Sequence, residues 1–212
     1  DQKTMGMHES VSRFYENIIG RSEAFIHFIY PKLREVFPQV MEDVTERELY
    51  EAVNRIEPSL IRMDADEVTY TLHIVIRYEI EKELVNGTVS AKDVPKLWNE
   101  KYREYLGVVP KNDAEGTLQD NHWTENFGYF PTYAIGNFYN AMYLKEMQKE
   151  FDPFAAVAEG DFIKIRNWMA QHVFLHADTL PADKWIHEIT GRNLCADDFL
   201  SYLECKMTEI YG

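Results

Sequence analysis

The nineteen residues EVTYTLHIVIRYEIEKELV, 67–85, run without a Gly, Pro, Asn or Asp, and they constrain the fold of this chain more than any other stretch. Their β-branched side chains favour a strand locally. An ordinary strand spans roughly 3–10 residues, however, and this run ends in Glu-Lys-Glu-Leu. The reading is therefore a buried helix, capped by Asp66 and stopped at Asn86-Gly87.

The remaining sequence also reads as helices separated by short breaks. Val11, Phe14, Ile18, Phe25 and Ile29 recur at helical spacing over 11–29, with Pro31 and Pro38 interrupting the run. Thr45-Glu46-Arg47-Glu48 has the form of a capping box, predicting a helix over 46–56. Further helices are expected over 90–106, closed by Gly107, and over 131–149 with Pro131 in the first turn. Another run starts at Asp152-Pro153, crosses Gly160-Asp161 and continues through 174. Short helices over 181–190 and 196–210 complete the chain. No repeat or Gly/Ser-rich linker divides it, so the expectation is all-α, with residues 1–212 forming a single helical unit.

Composition narrows the partners. The 45% hydrophobic and 14% aromatic content supplies a packed core. A net charge of −14 disfavours nucleic acid and anionic membrane surfaces, which need clustered Lys and Arg. No run of about 18 apolar residues is present, so no transmembrane helix is expected. The N-terminal stretch DQKTMGMHES lacks the basic and apolar regions of a secretory signal, and Cys195 and Cys205 have no finger spacing. Together these predict a cytoplasmic protein with reduced thiols.

Familiar catalytic motifs are missing: there is no GxGxxG, no phosphate-loop GK, no GxSxG, and no Glu-x-x-His for a di-iron site. His8-Glu9 opens a helix without the second histidine of HExxH. Glu9 can be read simply as a first-turn acid paired with Arg13, since one carboxylate is a poor zinc site.

Other candidates remain. Residues 107–130 have no sustained period yet contain His122, Trp123, Phe127, Tyr129 and Phe130, and long irregular segments of this kind are often functional. Asp120 and His122 alternate, so an extended backbone would point both the same way and let the carboxylate orient the imidazole. They could equally bond the loop backbone. Arg62 is either an ion-pair partner of Asp64 or Asp66, or a carboxylate clamp. Tyr129 and Tyr133, one helical turn apart, could donate to an oxyanion or simply belong to the core.

Taken together, these fragments resemble one family. His8-Glu9-Ser10 with Ser12-Arg13 is similar to its HESQSR element, and IRMDAD at 61–66 to its Ile/Val-Arg-x-x-Ala-Asp motif. IRYEIE at 76–81, GTLQDNHW at 116–123 and FGYFPTY at 127–133 continue the match in the family's order, covering essentially the whole chain. The family is the thermostable carboxypeptidases: cytoplasmic, helical HExxH zinc metallocarboxypeptidases, commonly homodimers.

The resemblance implies peptide substrates, release of C-terminal amino acids, and a zinc held by two HExxH histidines and a glutamate one helix later. That glutamate corresponds to Glu9, and the general base is the Glu within HExxH. Only eight residues precede Glu9, and the family's HPF and DxRxT motifs are absent. The expectation is thus the C-terminal part of such an enzyme, with the HExxH helix upstream of residue 1 and the fragment inactive alone. Arg62 is then the candidate reader of the substrate's terminal carboxylate. His122 and Tyr129, with Tyr133 behind them, are candidates for holding the oxyanion, and Asp120 for orienting His122. Val11 departs from the family by standing where Gln is usual. The rival reading is a non-catalytic helical domain for interaction or dimerisation.

Overall fold

The computed structural model describes residues 5–176 and 179–212. The N-terminal reading of DQKTMGMHES therefore falls partly on residues outside the described ones. Among the described residues every regular element is helical. In chain order these are α1 (Met5–Arg13), which runs on as a π-helix over Phe14–Ile19, α2 (Glu23–Val36) and α3 (Glu46–Val53). Then come α4 (Tyr70–Val85), α5 (Val94–Leu106), the short α6 (His122–Glu125) and α7 (Pro131–Glu150). After these follow α8 (Pro153–Ala158), α9 (Phe162–Met169) with a π-helical extension Ala170–Phe174, α10 (Ala182–Thr190) and α11 (Asp197–Tyr211).

These helices sort into two compact units, although no linker composition separates them. The smaller is Arg55–Ala134, and the larger combines the residues up to Asn54 with Ile135–Gly212. The core of the larger unit gathers Phe14, Ile18, Met142, Tyr143, Val157, Met169 and Trp185, all buried. That of the smaller unit packs Ile76 and Ile80 of α4 against Val94, Trp98, Tyr102 and Leu106 of α5.

The 67–85 run is a helix, entered through a turn. Asp66 accepts from the Val68 and Thr69 amides at 2.9 and 2.8 Å, and the helix proper starts at Tyr70. Its buried residues, Tyr70, His73, Ile74, Arg77 and Glu81 with Ile76 and Ile80 beside them, recur at the three- and four-residue spacing of a helix face, while Tyr78, Lys82 and Val85 are exposed, a pattern that strand alternation would not give. The capping box at Thr45 and Glu48 also forms.

Three expectations are corrected. The 11–29 run is two helices, because Gly20 ends the π segment and Ser22 caps α2, its Oγ accepting from Phe25 N–H at 3.1 Å. Pro31 lies inside α2 rather than ending it. Pro31 and His27 are both exposed, so water can meet the His27 carbonyl that proline leaves without its helical donor. The 153–174 run is broken between α8 and α9 at Gly160, whose φ of +76° no helix accommodates. A Cβ there would also come within 2.7 Å of the Phe28 ring. Gly160→Ala is expected to destabilise the protein by about 1–3 kcal/mol, read as a lowered urea midpoint with unchanged slope.

Candidate active site

In the smaller unit, two arginines converge on one carboxylate. Asp120 follows the 3-10 turn Thr117–Gln119 with an extended backbone, φ −118° and ψ 125°. Its Oδ2 accepts from Arg77 Nε at 2.6 Å, and its Oδ1 accepts from Arg62 Nη2 at 3.0 Å and Nε at 3.2 Å. Gln119 completes the junction. Its Oε1 accepts from Arg77 Nη2 at 2.8 Å and from the Arg62 amide at 3.0 Å, while its Nε2 donates to the carbonyls of Leu60 and Glu115.

The other edges of both guanidiniums are also satisfied. Arg62 Nη1 donates to Tyr70 Oη at 3.2 Å. Arg77 Nη1 donates to the His73 carbonyl at 2.9 Å and to Tyr102 Oη at 3.2 Å. Their flat faces lie on aromatic rings: Arg62 is 4.9 Å from the Tyr133 centroid, and Arg77 is 4.5 Å from that of Trp98. Buried cations need this degree of satisfaction, because an ion removed from water without partners is costly. Burial works against the Arg62 charge, but Tyr70 and Asp120 outweigh it and raise the pKa.

The partner of Arg62 is thus Asp120, a residue 58 positions away, rather than Asp64 or Asp66. Asp64 is exposed, and Asp66 is turned to the backbone around α4. The Asp120–His122 expectation is altered as well. Asn121 turns into the helical region, φ −80° and ψ −8°, and breaks the alternation. His122 Nδ1 stands 3.8 Å from Asp120 Oδ1, within ion-pair range but beyond a hydrogen bond. The Nε2 of His122 meets Tyr133 Oη at 3.3 Å, and the imidazole packs 5.5 Å from the Tyr129 ring and 4.7 Å from that of Phe130.

Arg62, Asp120, His122, Tyr129 and Tyr133 are therefore brought together, and Arg77 and Gln119 join them. The available signal for Arg77 is a cation flanked by Ile74, Ile76 and Ile80, a setting in which a charge that becomes buried needs partners.

Glu9 belongs to the larger unit and is described there. The residue lies in α1, half-buried, and Ser12 Oγ donates to its Oε2 at 3.2 Å. Its backbone is fixed closely. A Cβ on Gly136 of α7 would come within 3.0 Å of the Glu9 carbonyl carbon and the Ser10 nitrogen, so only glycine admits this approach. Tyr143, fully buried, donates its hydroxyl to the Ser10 carbonyl at 2.7 Å, and burial pushes its pKa well above the ordinary tyrosine value. Arg13 bonds Glu16 at 2.9 Å and Asn137 at 3.1 Å. Val11 packs against the apolar core. Among the described residues no three His, Cys, Asp or Glu side chains gather as a metal site. Glu9 offers one carboxylate donor, which suits a divalent metal as part of a ligand set but not as the whole of it.

Residues 1–207 match the carboxypeptidase Taq (M32) metallopeptidase family. The chain belongs to that family. It is 43% identical to Carboxypeptidase 1 of Bacillus subtilis (strain 168), a match covering 100% of this chain and 42% of that protein. It is 42% identical to Thermostable carboxypeptidase 1 of Thermus thermophilus, again over 100% of this chain and 42% of the relative. The crystal structure of the M32 carboxypeptidase from Deinococcus radiodurans R1 superposes with a TM-score of 0.93 at 38% identity, covering 98% of this chain and 42% of that one. The chain thus spans about two-fifths of the length of the relatives it matches. The family is one of metallopeptidases, and the described residues of this chain are all-α, as the motifs imply.

Beside the arginine junction, His73 is fully buried, with Nδ1 3.0 Å from Tyr102 Oη and Nε2 facing no hydrogen-bond partner. Burial, and then the charges of Arg77 and Arg62, push its pKa down from 6.5 to about 3. Between those values the unfolded chain binds a proton that the folded chain refuses, so stability falls as pH falls through this window. Relative to His73→Gln, the wild type should lose about 1 kcal/mol more stability per pH unit between pH 6 and pH 4, measured by urea unfolding at each pH.

Proposed function

We propose that the complete gene product is a zinc-dependent carboxypeptidase that releases single residues from peptide C-termini. The observation that carries this reading is the family match over residues 1–207, in which Glu9, Arg62, Asp120 and His122 all fall within the quoted motifs. A bound zinc would supply polarisation of the scissile carbonyl and activation of a water. Glu9 would provide one carboxylate ligand, with two histidines and the general-base glutamate contributed from outside this sequence. The 212-residue chain by itself would then be inactive.

Arg62 is the reader of the substrate's terminal carboxylate. Its fork is engaged by Asp120 and Tyr70, so it acts through charge rather than as an empty bidentate clamp. Two guanidiniums against one carboxylate leave the Arg62–Arg77–Asp120 group one positive charge in excess, which favours an anionic chain end. His122, Tyr129 and Tyr133 hold the oxyanion that develops on the substrate, their N–H and O–H groups being held in place by mutual packing. Asp120 sets the position of Arg62 and lies beside His122 without bonding it. The protein works as a cytoplasmic homodimer. No helix among the described residues is long and apolar enough to cross a membrane.

Two variants of the complete gene product separate these roles. Glu9→Ala should lose its zinc, measured as metal per chain after gel filtration; unchanged zinc content would refute the ligand assignment. Arg62→Lys should keep its zinc but raise KM for peptides with a free C-terminal carboxylate roughly tenfold or more.

A further inference from the structure

Helix α4 carries a second buried charge that the reading above leaves without a task. Glu81 lies one turn beyond Arg77 and is only 4% exposed. Its Oε1 accepts from the backbone N–H of Gly128 at 2.9 Å, 47 residues further along the chain. Its Oε2 is buried and meets no hydrogen-bond partner. An oxygen left in that state costs stability, which is a reason to ask what the side chain secures.

What it secures is a turn. Tyr129 N–H returns to the Asn126 carbonyl at 3.2 Å, and Gly128, with φ +81°, supplies the left-handed position within it. Asn126, Phe127 and Gly128 are all exposed, so the turn has little burial of its own. Its Gly128 amide is nevertheless tied inward to Glu81. The next residue is Tyr129, whose ring packs on both His122 and Tyr133. The same helix grips the other end of the stretch, because Arg77 holds Asp120.

We propose that Glu81 is a positioning residue for the reaction: by holding the Gly128 amide it fixes the turn that places Tyr129, and with it His122, on the developing oxyanion. The inference rests on the carboxypeptidase reading for its catalytic half, and on geometry alone for its structural half. It assigns α4 two separable tasks. The Arg77 end, through Asp120 and Arg62, serves ground-state recognition of the substrate carboxylate. The Glu81 end serves the transition state. Burial raises the Glu81 pKa, partly offset by the Gly128 N–H, and glutamine keeps an acceptor oxygen at the same reach.

The test compares Glu81→Ala, Glu81→Asp and Glu81→Gln in the zinc-loaded complete gene product, with zinc content and circular dichroism verified for each. Aspartate keeps the charge but is one methylene too short to reach Gly128, whereas glutamine keeps the reach and loses the charge. Ala and Asp should lower kcat about tenfold or more, with KM within about threefold, because groups displaced from the oxyanion cost only the transition state. Gln should rescue kcat to within about threefold of wild type. Hydrogen exchange of the segment around Gly128, read by mass spectrometry, should lose protection in Ala and Asp and regain it in Gln.

Lost protection with kcat unchanged would overturn the catalytic role, and unchanged protection would overturn the anchoring itself. Equal falls in kcat for Gln and Ala would show that charge rather than reach matters, which also refutes the proposal. A wild type that retains zinc but releases no C-terminal residue would refute the carboxypeptidase reading, while the exchange measurement still decides the anchoring.

Discussion

Asp120 accepts hydrogen bonds from two guanidiniums that approach from different elements, Arg62 from the turn before α4 and Arg77 from α4 itself. Removing that carboxylate would leave two buried cations facing each other, a situation that costs several kcal/mol. Everything around it is arranged on this account. Gln119 shares the same pair of arginines, aromatic rings cover the guanidinium faces, and His73 next door is kept neutral by burial and by the positive charges beside it. The irregular stretch 107–130 has little repeating backbone structure, so its shape comes from these side-chain bonds instead. A segment of this kind is precise without being regular.

The larger unit solves a different problem by different means. The backbone around Glu9 is fixed by packing more than by charge. Gly136 lets α7 approach α1 to backbone contact, and Tyr143 caps the Ser10 carbonyl from within the core. Immediately afterwards the chain widens into the π-helical turn Phe14–Ile19, an arrangement that costs hydrogen-bond geometry and that recurs beside functional residues.

How much of this is legible in the sequence depends on whether the governing interaction is local. The capping box at Thr45, the stop at Gly107 and the helical nature of 67–85 rest on neighbours in sequence, and each is readable there. Pro31 reads as a stop but is none, because the rule against interior proline presumes a buried carbonyl, and here that surface is wet. The break at Gly160 is hidden because apolar periodicity continues on both sides of it. In the site, Arg62, Asp120, His122 and the two tyrosines can be picked by residue type and spacing. Their pairing cannot, because the partner of Arg62 lies 58 residues on and no local rule selects Asp120 over Asp64 or Asp66. Arg77 and Glu81 sit within a recognisable motif, and the isoleucines flanking Arg77 hint at burial, but nothing local names the partner of either.

The two inward charges of α4 also tie distant parts of the chain to a single helix. Arg77 and Glu81 bind partners 43 and 47 residues further along the chain. Arg77 and Glu81 lie one turn apart on one face of α4, so the wound helix presents both side chains together, and each bond offsets part of the entropy of closing a long loop. The stretch between Asp120 and Gly128 is therefore fastened at both ends to one helix. It behaves as a strap buckled at both ends, whose shape lasts as long as α4 stays wound.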